Sequence, residues 1–165
     1  MDLSYTESQT HFGLWAVISS PLILGFDLTD RTTIATVWDI IANREVINVS
    51  QSWAGHPGRL VTNASTYFDA ECKHGATGSR EDACRLPSWQ VWAKPQSKGA
   101  QAVLVVNNGV TPVTVSVPLA ELGLEGPVTV RDLWAHTNNG TLTNRLEASI
   151  AESHGGVFVL LTPAH

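Results

Sequence analysis

The chain has 165 residues, of which 43% are hydrophobic and 15% charged, with a net charge of −5. Such a chain can bury a core, so it is not of the disordered class. The acidic balance and the lack of a basic stripe exclude a nucleic-acid-binding surface, and no run of about 18 apolar residues is present to span a membrane.

Met1 to Tyr5 is polar, without the basic start of a secretion signal, so any such signal would stand on a longer precursor. Ser4-Tyr5-Thr6-Glu7 has capping-box spacing, with Thr6 as the alternative N-cap, and predicts a helix through Ile18. Phe12, Trp15 and Ser19 follow at helical steps, and Leu14, Val17 and Ile18 widen the face. Pro21 ends the helix. Pro21 to Phe26 is short and apolar on both faces, which suits a central parallel strand, Leu22 to Gly25. Such a strand needs parallel neighbours, and nothing downstream supplies them. The expectation is that this chain is the C-terminal piece of something larger.

Thr29 or Asp30 then caps a second helix, Arg31 to Ala42, with Ile34, Val37, Trp38 and Ile41 as its stripe and Asn43 as its C-cap. Glu45 to Val49 is short and apolar, and Ser52 to Arg59, with Gly55, Pro57 and Gly58, reads as a linker. From Leu60 the period changes to two. Strands are expected at Trp89–Ala93, Gln101–Val106, Val113–Val117, Val128–Arg131, Leu142–Ile150 and Val157–Leu161. Asn107-Asn108-Gly109 and Asn138-Asn139-Gly140 read as turns, and Leu119 to Leu124 as a helical turn or loop. This spacing indicates an antiparallel sandwich. The strands apolar on both faces require one sheet to be covered from outside, and the preceding α/β piece is the natural cover.

Cys72 and Cys84 sit in a polar loop. A disulfide there would close a loop of about 13 residues and stabilise by about 3 kcal/mol; two free thiols are the alternative. Three sequons occur, at Asn48, Asn63 and Asn139. Cysteines and sequons together point to an extracellular, secretory-pathway or lysosome-like compartment. The 6 histidines show no metal spacing and no phosphate-cradling loop is present, so neither metal nor cofactor is expected. Asp27 is expected to serve helix entry, Asp132 a turn, and Trp89, Trp92 and Trp134 core packing rather than a sugar platform.

Three groups of residues resemble glycoside hydrolase family 27, the α-galactosidases and α-N-acetylgalactosaminidases. They are Thr10 to Ala16 with Pro21 to Leu28; Asn43-Arg44-Glu45-Val46-Ile47; and, further on, Val91-Trp92-Ala93-Lys94-Pro95 with Val130 to His136. His154-Gly155 followed by Val157 resembles a last family motif, displaced by one extra Gly156. The resemblance covers nearly the whole chain. It implies the C-terminal segment of a (β/α)8 TIM barrel over residues 1–59, incomplete, then an antiparallel β-sandwich over 60–165. It further implies that the two catalytic aspartates lie on earlier barrel strands, since no residue here matches either. Ser50 and Ser52 depart from the family's Asn and Asp. The function implied is the C-terminal portion of a retaining hydrolase of terminal α-galactosides. Its partners would be the remainder of the barrel and a galactoside-containing carbohydrate. The alternative is a non-catalytic structural or carbohydrate-contacting component of an extracellular assembly derived from that family.

If Cys72 and Cys84 are paired, reduction should raise the intact mass by the two hydrogens of one disulfide. Labelling of both thiols in the unreduced protein would exclude the pairing.

Overall fold

A computed structural model describes residues 3–69 and 85–164; Cys72 and Cys84 lie outside the described residues. Helix α1 spans Tyr5–Val17, α2 Arg31–Ile41 and α3 Arg44–Gln51. Strands follow at β1 Arg59–Asn63, β2 Tyr67–Asp69, β3 Arg85–Pro87, β4 Trp89–Pro95, β5 Gln101–Asn107, β6 Val113–Pro118, β7 Val128–Asp132, β8 Thr137–Leu142, β9 Arg145–Ile150 and β10 Gly156–Pro163. All strand pairs are antiparallel, and most of the described chain is β-sandwich.

Three layers result. The middle layer is a six-stranded sheet in the order β1-β4-β5-β10-β7-β8. On one side the β6–β9 pair and the turn at Leu119–Leu122 close a core of Val91, Val103, Val115, Leu146, Ile150 and Leu161. On the other side α1 and α3 close a second core, in which Ala16, Val17, Val46 and Val49 meet Leu104 and Phe158. Alternation along β4, β5 and β10 feeds both cores: Val103 and Val105 point one way, Ala102, Leu104 and Val106 the other. The cover expected from the two-faced strands is therefore present, and it is helical.

The helix starts follow their caps. Ser4 and Glu7 form the full capping box of α1. Asp30, not Thr29, caps α2, accepting from the backbone of Thr32 and Thr33.

Four expectations are corrected. Pro21 to Phe26 is not a strand: it is irregular backbone, with Ile23 N–H donating to Pro21 O at 3.0 Å, it joins no ladder among the described residues, and Ile23 is 75% exposed. A parallel strand has no existence without a neighbour to hydrogen-bond it. Asn43 is not a C-cap but the N-cap of α3, its Oδ1 accepting from Glu45 and Val46 N–H. Glu45 to Val49 accordingly lies within a helix. Asn138-Asn139-Gly140 is not a turn but part of β8. The turn lies at residues 133–136, where Asp132 Oδ1 accepts from Trp134 and Ala135 N–H, and His136 takes φ +56°. Leu142 thus ends β8, and the next strand begins only at Arg145.

Between α3 and β1 the chain crosses the end of α1. Gly58 N–H donates to Val17 O at 2.9 Å, and a Cβ on Gly58 would sit 2.2 Å from that oxygen. Only glycine permits this approach. Gly58→Ala should therefore destabilise the fold by about 2 kcal/mol, seen as a lowered urea midpoint. An unchanged midpoint would show that this crossing gives way freely.

Candidate functional site

Two features of the helical side could serve a function: a polar joint fastening α3 to the sheet, and an apolar cleft between α1 and α2.

The joint begins with β4. Its alternation sends Val91 and Ala93 into the sandwich core and Trp92 and Lys94 toward the helices. Lys94 is fully buried, and its ammonium donates to Val49 O and, at 2.9 Å, to Ser50 O. Both carbonyls lie in the last turn of α3, where helix carbonyls lack intrahelical partners and the dipole favours a cation. Burial pushes the Lys94 ammonium below its ordinary pKa.

At its other end α3 meets the β7–β8 turn. Asn43 Nδ2 donates to Leu133 O at 2.8 Å. Glu45 receives Arg131 through Nε at 3.0 Å and Nη2 at 2.8 Å, and His136 Nδ1 lies 2.8 Å from its Oε1. The Arg131 hydrogen bonds foremost, with His136 behind them, hold the Glu45 carboxyl below the ordinary carboxylate range. Glu45 in turn raises Arg131. Three of the sequence motifs, Asn43-Arg44-Glu45, Val91 to Pro95 and Val130 to His136, thus meet at one helix.

The cleft has a volume of about 450 Å³ and is lined by Phe12, Trp15, Leu22, Phe26, Val37 and Ile41, among others. Its far wall is the unpaired segment Pro21 to Phe26. The outer face of α2 continues the apolar surface, with Trp38 60% exposed. A hydrogen bond from Tyr5 Oη to Asp39 ties α1 to α2. That bond, with burial and the charge of Asp39, pushes the Tyr5 hydroxyl up to about 12. Apart from Ser8 and His11 the lining is apolar, which suits burial of apolar side chains.

The other residues singled out from sequence are placed as follows. Asp27 Oδ1 accepts from the backbone and hydroxyl of Thr29, both at 2.8 Å, in the turn before α2. These bonds lower its carboxyl below the ordinary range. Asp132 forms the turn described above. Trp89 packs against the sandwich core, and Trp92 and Trp134 against the helical one, with Trp134 tilted over Phe158 at 6.2 Å. Asn48 is exposed on α3, Asn63 half-buried at the end of β1, and Asn139 exposed on β8. Among the described residues no group of three or more His, Cys, Asp or Glu could hold a metal. No described helix is long and apolar enough to cross a membrane. Sequence reasoning missed Lys94 and the Glu45–Arg131 pair; a lysine directly continuing the apolar run Val91-Trp92-Ala93 was the available signal for the first.

Residues 87–161 match a domain family described as the alpha galactosidase C-terminal beta sandwich domain. A probable alpha-galactosidase of Dictyostelium discoideum is 32% identical over 99% of this chain and 37% of its own length. The alpha-galactosidase of Coffea arabica is 29% identical over 98% of this chain and 36% of its own. The chain therefore spans little more than a third of these curated relatives. Among solved structures, a GH27 β-L-arabinopyranosidase from Geobacillus stearothermophilus superposes with a TM-score of 0.78 at 26% identity, over 99% of this chain and 31% of that one. Alpha-galactosidase I from Mortierella vinacea, at 22% identity and a TM-score of 0.77 over 98% of this chain and 36% of that one, shares the fold.

Because the folded pKa of Glu45 is depressed, its contribution to stability is present above the ordinary carboxylate pKa and is lost as the pH falls through the lower folded value. Glu45→Gln should cost about 1 kcal/mol at neutral pH, a figure set by partial exposure. The deficit should close below about pH 4. Denaturation of both proteins across that range checks this; a deficit independent of pH would remove the charge from the explanation.

Proposed function

We propose that this chain, whose residues 87–161 match the alpha galactosidase C-terminal beta sandwich domain and whose relatives are alpha-galactosidases, belongs to glycoside hydrolase family 27 and is the C-terminal part of a retaining hydrolase of terminal α-galactosides. In this reading residues 1–59 are the last strand and helices of a (β/α)8 barrel, and residues 60–165 are the sandwich that braces them. The nucleophile and the acid/base are carboxylates on earlier strands, about 5 to 5.5 Å apart across the scissile bond. The chain contributes no catalytic residue. Its work is to hold the closing elements of the barrel, with Asp27 just beyond the C-terminal end of the strand segment, where barrel active sites form. Export through a secretory pathway belongs to the same reading.

The observation that carries this is an unpaired apolar segment lying beside an uncovered apolar face. Among the described residues Pro21 to Phe26 joins no ladder, Ile23 is 75% and Trp38 60% exposed, and Leu22 to Phe26 line a cleft of about 450 Å³ together with Val37, Ile40 and Ile41 of α2. Parallel strands on either side would satisfy the backbone, and their helices would cover the apolar groups.

The test compares residues 1–165 with the open reading frame extended upstream of Met1. Both are assayed on p-nitrophenyl α-galactoside and p-nitrophenyl β-L-arabinopyranoside, the second because a structural relative is named for that sugar. The short chain should be inert. The extended protein should hydrolyse the galactoside with retention of configuration, and faster than the arabinoside. A folded extended protein inert on both, or a frame without the two carboxylates, would sink the hydrolase reading in favour of a non-catalytic component of an extracellular assembly.

A further inference from the structure

Strand β8 is an outer edge of the six-stranded sheet, hydrogen-bonded among the described residues only to β7. Such an edge is a template for pairing with another chain, and natural sheets blunt it with charge, proline, bulges or a cover. Thr137-Asn138-Asn139-Gly140-Thr141-Leu142 contains neither charge nor proline. It does contain a bulge. Thr129 is opposite Thr141 and Arg131 opposite Asn138, so Asn139 and Gly140 together face the single residue Val130. Gly140 takes φ +84°, which a side chain would resist. Asn139 is exposed at this bulge, and Asn139-Gly140-Thr141 is a sequon. Its Oδ1 accepts from Thr137 Oγ1 at 3.1 Å, while Nδ2 has no hydrogen bond among the described residues. Asn138, by contrast, is turned to Arg131, accepting from its Nη1 at 3.2 Å.

The other two sequons are less favourably placed for covering an edge. Asn63 ends the opposite edge strand β1 but is half-buried, registered to Gln90 and followed by buried Ala64. Asn48 is exposed, but on a helix that presents no strand edge.

We propose that Asn139 carries an N-linked oligosaccharide that caps the open β8 edge and keeps the sheet from pairing with a second molecule. Asn139 Nδ2 attacks C1 of an oligosaccharide carried on a lipid pyrophosphate. The C–N bond forms, the C1–O bond breaks, the lipid pyrophosphate leaves, and the amide loses one proton. Asn139 is exposed and takes no part in the β7 ladder through its side chain, so a glycan there leaves the hydrogen bonds between β8 and β7 in place.

The proposal shares only export with the hydrolase reading, and its readouts do not use activity. The upstream-extended protein is secreted from a eukaryotic host, and the peptide bearing Asn139 is weighed before and after amidase deglycosylation. The expected result is a glycan on Asn139. Thr141→Ala should lose it, whereas Thr141→Ser, which preserves the sequon at the same strand position, should keep it. In sedimentation, Thr141→Ala and the deglycosylated protein should show associated species that the glycosylated protein and Thr141→Ser lack. An unmodified Asn139 in folded, secreted protein overturns the site. A glycan whose removal leaves sedimentation unchanged overturns the capping role.

Discussion

β5 can exist only between two apolar layers. Ala102 to Asn107 is buried without interruption, so each face of this strand must be removed from water by a different element. At about 25 cal/mol per Å² of apolar surface, leaving the helical face open would forfeit about 2 kcal/mol for each large side chain there, Leu104 of β5 and Phe158 of β10 first among them. The β6–β9 pair takes one face. The other falls to α1 and α3, so the helices are an obligatory layer of the sandwich rather than an appendage. The small face of α1, Gly13, Ala16 and Val17, suits a helix lying close on a sheet; a Cβ added at Gly13 would already stand in van der Waals contact, 3.5 Å from Leu104 and Phe158.

Apolar cover alone does not fix a helix in one orientation; α3 is fixed by polar contacts at both ends. Burying the Lys94 ammonium is costly, as its lowered pKa reflects, and the cost is offset only because two α3 carbonyls need a donor there. At the N-terminus Asn43 spends its acceptor on the helix and its donor on Leu133, so one side chain caps α3 and positions it. The bidentate Arg131–Glu45 pair adds a directional constraint that a lysine in place of Arg131 would not reproduce.

Much of this was legible from residues. The Ser4–Glu7 box is local, and the two-faced patterns of β5 and β10 stated directly that a cover was needed. What failed was set at longer range. Val46, Ile47 and Val49 favour strand by propensity, yet a cap from Asn43 and a buried cation from β4 make the segment a helix. Asn138-Asn139-Gly140 has turn composition, but Asp132 makes its turn six residues earlier, and the glycine is used for a bulge. Pro21 to Phe26 has strand composition and no partner, because pairing is a property of two segments and a sequence pattern describes one. The site followed the same division: the motifs were visible separately, and their meeting at α3 was not.

The consequence is a hierarchy in what determines the position of each helical element. α3 is held by directional bonds to three strands or turns, and α1 by close packing on β5 and β10. Both therefore inherit their orientation from the sandwich. α2 is different: among the described residues it buries only Val37 and Ile40, and its one side-chain hydrogen bond to another element there is the exposed Tyr5–Asp39 contact. Pro21 to Phe26 has still less, with no ladder on either side among the described residues. On the proposed reading the sandwich thus fixes α1 and α3 as a rigid platform, and the elements laid against the cleft fix α2 and the strand segment. Asp27 and its turn, standing between those two loosely held elements, are then placed by the neighbouring strands rather than by the sandwich. A β domain without catalytic residues would in this way set the frame of an active site while leaving its final geometry to the strands that carry the chemistry.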